Sequence, residues 1–149
     1  MRIFIILSLI VGFFITPALA ADVDADGIWL RETIPGQPHG VGYGMLKNNT
    51  EFDVFLIGGS LSVAEDVEIH QHIVEGEQMR MEQIEALMVP AHDHVSLQPG
   101  GYHLMLMNLA QPLVVGEVYE LQLIFSDGSI VKLQAPVKSL VPNHNQHRH

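Results

Sequence analysis

No cysteine occurs among the 149 residues. That absence removes disulfide staples, cysteine nucleophiles and the thiolate on which a blue-copper electron carrier depends. Basic charge is scarce as well: 7 Lys and Arg face 17 Asp and Glu, a formal net charge of −10. Such a surface repels nucleic acid and anionic lipid and draws cations, so no nucleic-acid partner is expected. A nucleophile elbow is also missing, because Gly58-Gly59-Ser60 lacks the G-x-S-x-G word. A zinc hydrolase would need roughly three harder ligands and an open water position, and no enzyme is expected. What the chain does hold is nine histidines and seven methionines.

Residues 1–20, "MRIFIILSLIVGFFITPALA", combine Arg2, an apolar run from Ile3 to Ile15, Pro17 and an Ala18-Leu19-Ala20 ending. This is the pattern of a secretory signal with cleavage before Ala21. The apolar run is shorter than the roughly 20 residues that span a bilayer, so no stable membrane insertion is expected after cleavage. The remaining 129 residues suffice for one domain, 21–141, and carry 6 basic against 17 acidic side chains, a formal −11. Pro142 then opens a polar tail, 142–149, holding His144, His147 and His149.

No segment of the domain keeps helical periodicity over a dozen residues. Short extended runs punctuated by turn residues fill it instead: "IWLRETIPG", the two halves of "VGYGMLKNNTEFDVFLIGG", "SVAEDVEIHQHIV", "EQMRMEQI", "ALMVPA", "HVSLQ", "YHLMLMNL", "PLVV", "VYELQLIF" and "SIVKLQAPV". Asp127-Gly128 between the last two is a hairpin signal. The pattern predicts an all-β sandwich.

Three of these runs place metal-capable side chains two residues apart, hence on one face of a strand. They are His70 and His72 in "EIHQHIV", Met79 and Met81 in "EQMRMEQ", and His103, Met105 and Met107 in "GGYHLMLMNL". Imidazoles and thioethers without thiolate form a soft set that suits Cu(I) better than zinc, calcium or magnesium. Each residue alone has an ordinary explanation, methionine as a core filler and histidine as a satisfied polar group. The shared faces are what argue for metal.

The spacing His70-x10-Met81-x21-His103-x-Met105 resembles the copper motif of the periplasmic copper chaperones called PCuAC. The flanking words "WLRETIPG", "VAEDVEIH", "MRM" and "PGGYHLMLMNL" resemble that family as well, from about residue 22 to about residue 138. The resemblance implies a cupredoxin-like (Greek-key) β-sandwich. It also implies a periplasmic location, Cu(I) held by His70, Met81, His103 and Met105, and delivery to a partner, usually the copper site of cytochrome c oxidase subunit II. A storage or detoxification protein would need the same ligands without that partner.

Two features depart from the family pattern. His92 and His94 flank Asp93 in "PAHDHVSL", and His72 adds an imidazole beside His70. His92 and His94 are either solvated loop residues or part of a harder site for Cu(II) or Zn(II). The tail histidines His144, His147 and His149 are open to the same two readings, as is His72. Met45 and Met107 remain unassigned between core and site.

Overall fold

The computed structural model describes residues 22–140. The expected signal, residues 1–20, and the tail with its three histidines lie outside them. Ten strands make up the order: β1 (Val23–Arg31), β2 (Gly40–Asn48), β3 (Val54–Leu61), β4 (Asp66–Glu75), β5 (Gln78–Ile84), β6 (Leu87–Val89), β7 (His94–Leu97), β8 (Tyr102–Met107), β9 (Val118–Phe125) and β10 (Ile130–Lys138). The described residues contain no helix, and the chain is all-β.

Alternation in the sequence decides which face of each strand turns inward. In β9, Leu121, Leu123 and Phe125 are buried while Glu120 is exposed. In β8, Leu104 and Leu106 are buried completely. Leu30, Leu46, Leu56 and Ile69 meet them in one core. Each such side chain contributes about 1.5–3 kcal/mol relative to exposure.

Hydrogen bonding runs from β5 through β4, β8, β2, β1, β10 and β9 to β3, and β3 touches β4 again at Gly59 and Val67. The result is a flattened, nearly closed sandwich. β7 lies beside β2 and β8, and β6 pairs only with β3. At the closure the chain leaves no room for a side chain: a Cβ on Gly59 would sit 2.5 Å from the Gln122 carbonyl oxygen.

Local sequence explains the main connections. Pro35-Gly36 forms a tight turn closed by the Gln37 amide donating to the Ile34 carbonyl (3.1 Å), and Gly36 supplies the positive φ of 86° it needs. Asn48, fully buried, ends β2 and pins the crossing to β3. Its Nδ2 donates to the Phe52 and Val89 carbonyls (2.7 and 3.0 Å), and its Oδ1 accepts from the Thr50 amide and hydroxyl (2.9 and 2.8 Å).

Three expectations need correction. The first strand begins ahead of "IWLRETIPG", at Val23 in the acidic stretch "DVDADG", because Val23 is buried while Asp24 and Asp26 face solvent. The strand of "SVAEDVEIH" begins only at Asp66, since a turn intervenes in which the Ala64 amide donates to Leu61 (3.0 Å). "PLVV" is not a strand at all. Only Leu113 is buried there, and its backbone bonds go to Thr33 alone, from the Thr33 amide to the Leu113 carbonyl (3.0 Å) and from the Leu113 amide to the Thr33 hydroxyl (2.9 Å).

Candidate metal centre

β8 follows the Pro99–Gly101 break and separates its side chains by parity. Leu104 and Leu106 enter the core, so His103, Met105 and Met107 take the other face. Pairing then brings matching faces together, because residues directly opposite on paired strands project to the same side. On β4, His70 stands opposite His103; on β5, Met81 stands opposite His72; on β2, Val41 stands opposite Met105. One face therefore carries His70, His72, Met81, His103 and Met105. The ring centroids of His72 and His103 are 5.1 Å apart, and those of His70 and His103 are 5.8 Å apart.

His103 is the innermost donor, at 2% exposure. Its Nδ1 hydrogen points to the Gly101 carbonyl at 3.2 Å, which leaves the Nε2 lone pair bare. Burial holds its pKa below the ordinary 6.5; the Gly101 hydrogen bond opposes this, and the neighbouring His72 and His70 rings add to the lowering. The ring is neutral at physiological pH, the form that ligates metal. His70 is tied differently, with Nε2 2.7 Å from the Glu68 Oε2. The Nδ1 atoms of both His70 and His72 are buried without any hydrogen-bond partner. Such atoms cost about 1–3 kcal/mol each when left unsatisfied, and a bound cation would satisfy them.

A cleft of about 330 Å³ opens on this face. His72, Met81, His103 and Met105 line it together with Arg31, Val41, Tyr43 and the segment Gln37-Pro38-His39. His70 is not among its walls. Sequence reasoning missed Arg31, at the end of β1, and His39, in the β1–β2 connection, because both reach the cleft only through the fold. The His39 Nδ1 accepts the Asn108 amide at 3.2 Å, so that nitrogen is engaged.

The other candidates lie apart. His92 is exposed with φ 55°, and His94, also exposed, forms its one ion pair among the described residues with Asp93 (3.1 Å). His94 stands opposite Lys47 and Met105 opposite Val41, six residues along β2 and so roughly 20 Å apart. Among the described residues no three His, Cys, Asp or Glu side chains are gathered to hold an ion. The harder second site around Asp93 is therefore not assembled there, and any metal on the β8 face depends on thioether sulfur. Met45, opposite Ser96, and Met107, opposite Asp66, are half-buried and outside the cleft walls. Met79 is 66% exposed.

The fold and this face define a class: a cupredoxin-like β-sandwich with imidazoles and thioethers grouped on one side. The solved copper-bound PCuAC domain from PmoF2 shares the fold, with a TM-score of 0.68 and 22% identity over 82% of this chain and 97% of that one. The Cu(I) form of DR1885 from Deinococcus radiodurans matches with a TM-score of 0.67 and 28% identity over 83% of each chain. The family itself is LpqE-like, whose model matches residues 23–137, and the chain belongs to it. A protein of Leifsonia xyli subsp. xyli named as lipoprotein Lxx21020 is 31% identical over 125 residues, 83% of this chain and 74% of its own length. The sequence resemblance to PCuAC is thus met at the level of fold, while the family is the related LpqE-like one.

Proposed function

We propose that this protein binds Cu(I) on the β8 face and passes it to a partner. The observation that carries the reading is the cleft itself, where two thioethers and two imidazoles converge and the innermost ring, His103, offers a bare Nε2. Copper is cargo here, not a resident cofactor. The soft donors hold Cu(I) without a proton to lose at sulfur, and only the imidazoles make binding sensitive to acid. Cu(I) has a filled d shell and tolerates partly exchanged ligand sets. Met81, 53% exposed, leaves one side open for an incoming ligand. Transfer can then proceed by ligand exchange without free copper.

The copper-bound PCuAC domain and Cu(I)-DR1885 share this fold, which supports copper as the ion. Delivery to the copper site of cytochrome c oxidase subunit II and a periplasmic location are the finer parts of the proposal. Relatives are named as lipoproteins, but none of the 149 residues here is a cysteine, the side chain through which bacterial lipoproteins take their lipid. Export through residues 1–20 with release after cleavage is the form we propose.

The test is an anaerobic Cu(I) titration of residues 21–149 against a chromophoric chelator, beside a chain ending at Leu140 and the Met105→Ala variant. Tight binding of one Cu(I) that survives truncation and is lost in Met105→Ala supports the strand site. Binding that disappears with the tail and ignores Met105→Ala refutes it.

A further inference from the structure

The two ends of the strand order are finished differently. At one end β6 is only three residues long, and its Leu87 and Val89 are buried. At the other, β5 runs for seven residues, six of them exposed, with β4 as its one neighbour among the described residues. No turn or loop backbone bond of the described residues reaches β5 either, so its outer amides and carbonyls face solvent. A long open edge is a template for another strand, and proteins blunt such edges with shortness, proline, bulges or charge. β5 holds no proline and pairs with β4 in unbroken register from Gln78 to Ile84. Its charges are Arg80 and Glu82, one on each side of Met81.

We infer that β5 is the pairing edge of a two-fold homodimer, in which a second copy of this chain adds its own β5 antiparallel, centred on Met81.

Charge complementarity singles out this occupant and this register. Centred on Met81, the pairing sets Arg80 opposite Glu82 of the second copy, and Glu82 opposite Arg80 of the second copy, as reciprocal ion pairs on one face. Centred one residue to either side, it would set Arg80 against Arg80 or Glu82 against Glu82, which is destabilising. The same two charges that repel a misplaced copy therefore accept a correctly placed one. Arg80 already meets Glu75 at 3.0 Å, but both side chains are exposed and such a pair is worth little. The guanidinium fork has donors left for a second carboxylate.

On the other face of the strand, Met81 would stand opposite Met81 of the second copy, flanked by the two Met79 side chains. Met79, Met81 and Val74, which stands opposite Met79 on β4, are all exposed in the single chain. Pairing lines up four thioethers, two from each copy, and covers apolar surface that the monomer leaves in water. The two-fold axis of such a pair is perpendicular to the sheet, so both copies keep the same face on the same side. Met81 lines the cleft, and the dimer would thus present two clefts on one surface. The inference goes beyond the copper reading and stands apart from it, because pairing depends on backbone groups and on Arg80 and Glu82, neither of which lines the cleft.

Two seven-residue edges make a small interface, at the weak end below about 1,200 Å². Each copy also carries a formal −11, so association needs high concentration and screened charge. Sedimentation velocity of the metal-free chain 21–149, from about 10 µM to about 1 mM in about 0.15 M salt, where the Debye length is about 8 Å, measures association. Amide hydrogen exchange over the same range locates it. We expect the mass to rise toward that of a dimer and exchange to slow at β5. Arg80→Glu and Glu82→Arg should each weaken self-association by about 10-fold or more, since each sets like charges opposite one another. An equimolar mixture of the two variants should associate as the unaltered chain does, because opposite charges face each other again. Near-ultraviolet circular dichroism checks the fold of each variant. A chain that stays monomeric at the highest concentration overturns the inference and leaves the edge open to a strand of a different protein. Association that is protected elsewhere than at β5, ignores both substitutions, or is not restored by mixing overturns it too. Chelator competition on the same chains reads the copper proposal separately: absence of Cu(I) binding removes that proposal and leaves the pairing intact.

Discussion

Met81 and Met105 differ in what the fold asks of them. Met81 is 53% exposed on β5, so Met81→Ala should change the unfolding free energy by less than about 0.5 kcal/mol. Met105 is half-buried against β2 and β4, and its truncation should cost about 1–2 kcal/mol, part of what a fully buried methionine loses. Both variants should lose far more in Cu(I) affinity than in stability. Urea unfolding beside chelator competition separates the two quantities, and unchanged affinity in both would exclude these sulfurs as ligands. His103 adds a pH dependence of definite sign. Unfolded, it titrates at its ordinary 6.5; folded, burial lowers that value. Between the two values the unfolded chain binds more protons, so this contribution is complete above 6.5 and is lost as pH falls through the folded value. Urea midpoints of the apo protein should decline on acidification below about pH 6.5, and more steeply than in His103→Gln. A parallel decline in both would assign the effect to other groups.

Among the strands, alternation made most of the ladder readable before any coordinates. "VYELQLIF", "YHLMLMNL" and "EQMRMEQI" each proved to be strands, and the Asp127-Gly128 hairpin joins β9 to β10 in unbroken register from Ile124 and Ile130 to Val118 and Pro136. "PLVV" misled because an apolar run without alternation says nothing about hydrogen-bond partners, and its partner, Thr33, is 80 residues away. The cleft was half legible for the same reason. The donors lie on strands whose parity is written locally, whereas Arg31 and His39 reach the cleft only through which elements become neighbours. Asn48 is the local residue with the widest reach, since its one amide group ties β2, the 50–52 loop and the end of β6. Asn48→Ala should leave the Val89 carbonyl without its Asn48 donor and the Thr50 amide without its Asn48 acceptor, and cost about 2–4 kcal/mol in urea unfolding. Asn48→Asp should cost more at neutral pH, because a carboxylate would face those carbonyl oxygens. A loss under about 0.5 kcal/mol in either would show that solvent replaces the amide.

The molecule as a whole carries a formal −11 over residues 21–149, and that field acts on any partner before contact. With a basic acceptor, copper transfer should slow as salt rises from about 0.02 to about 0.2 M, because the Debye length shrinks toward 8–10 Å. Stopped-flow transfer rates independent of salt would rule out steering by charge. The pairing of the first and last strands in chain order has a different kind of consequence. β1 and β10 run parallel, with Leu30 beside Val137, and no hairpin can bring such a pair together. The first strand made must wait with one edge open until the last has emerged, while the metal-bearing strands β4, β5 and β8 lie between them. Closure of the sandwich therefore acts as a check on completeness. A chain cut short before β10 would be an open sheet with β1 and β9 unpaired along the edges that β10 fills, recognisable as unfinished by any protease that samples unpaired edges.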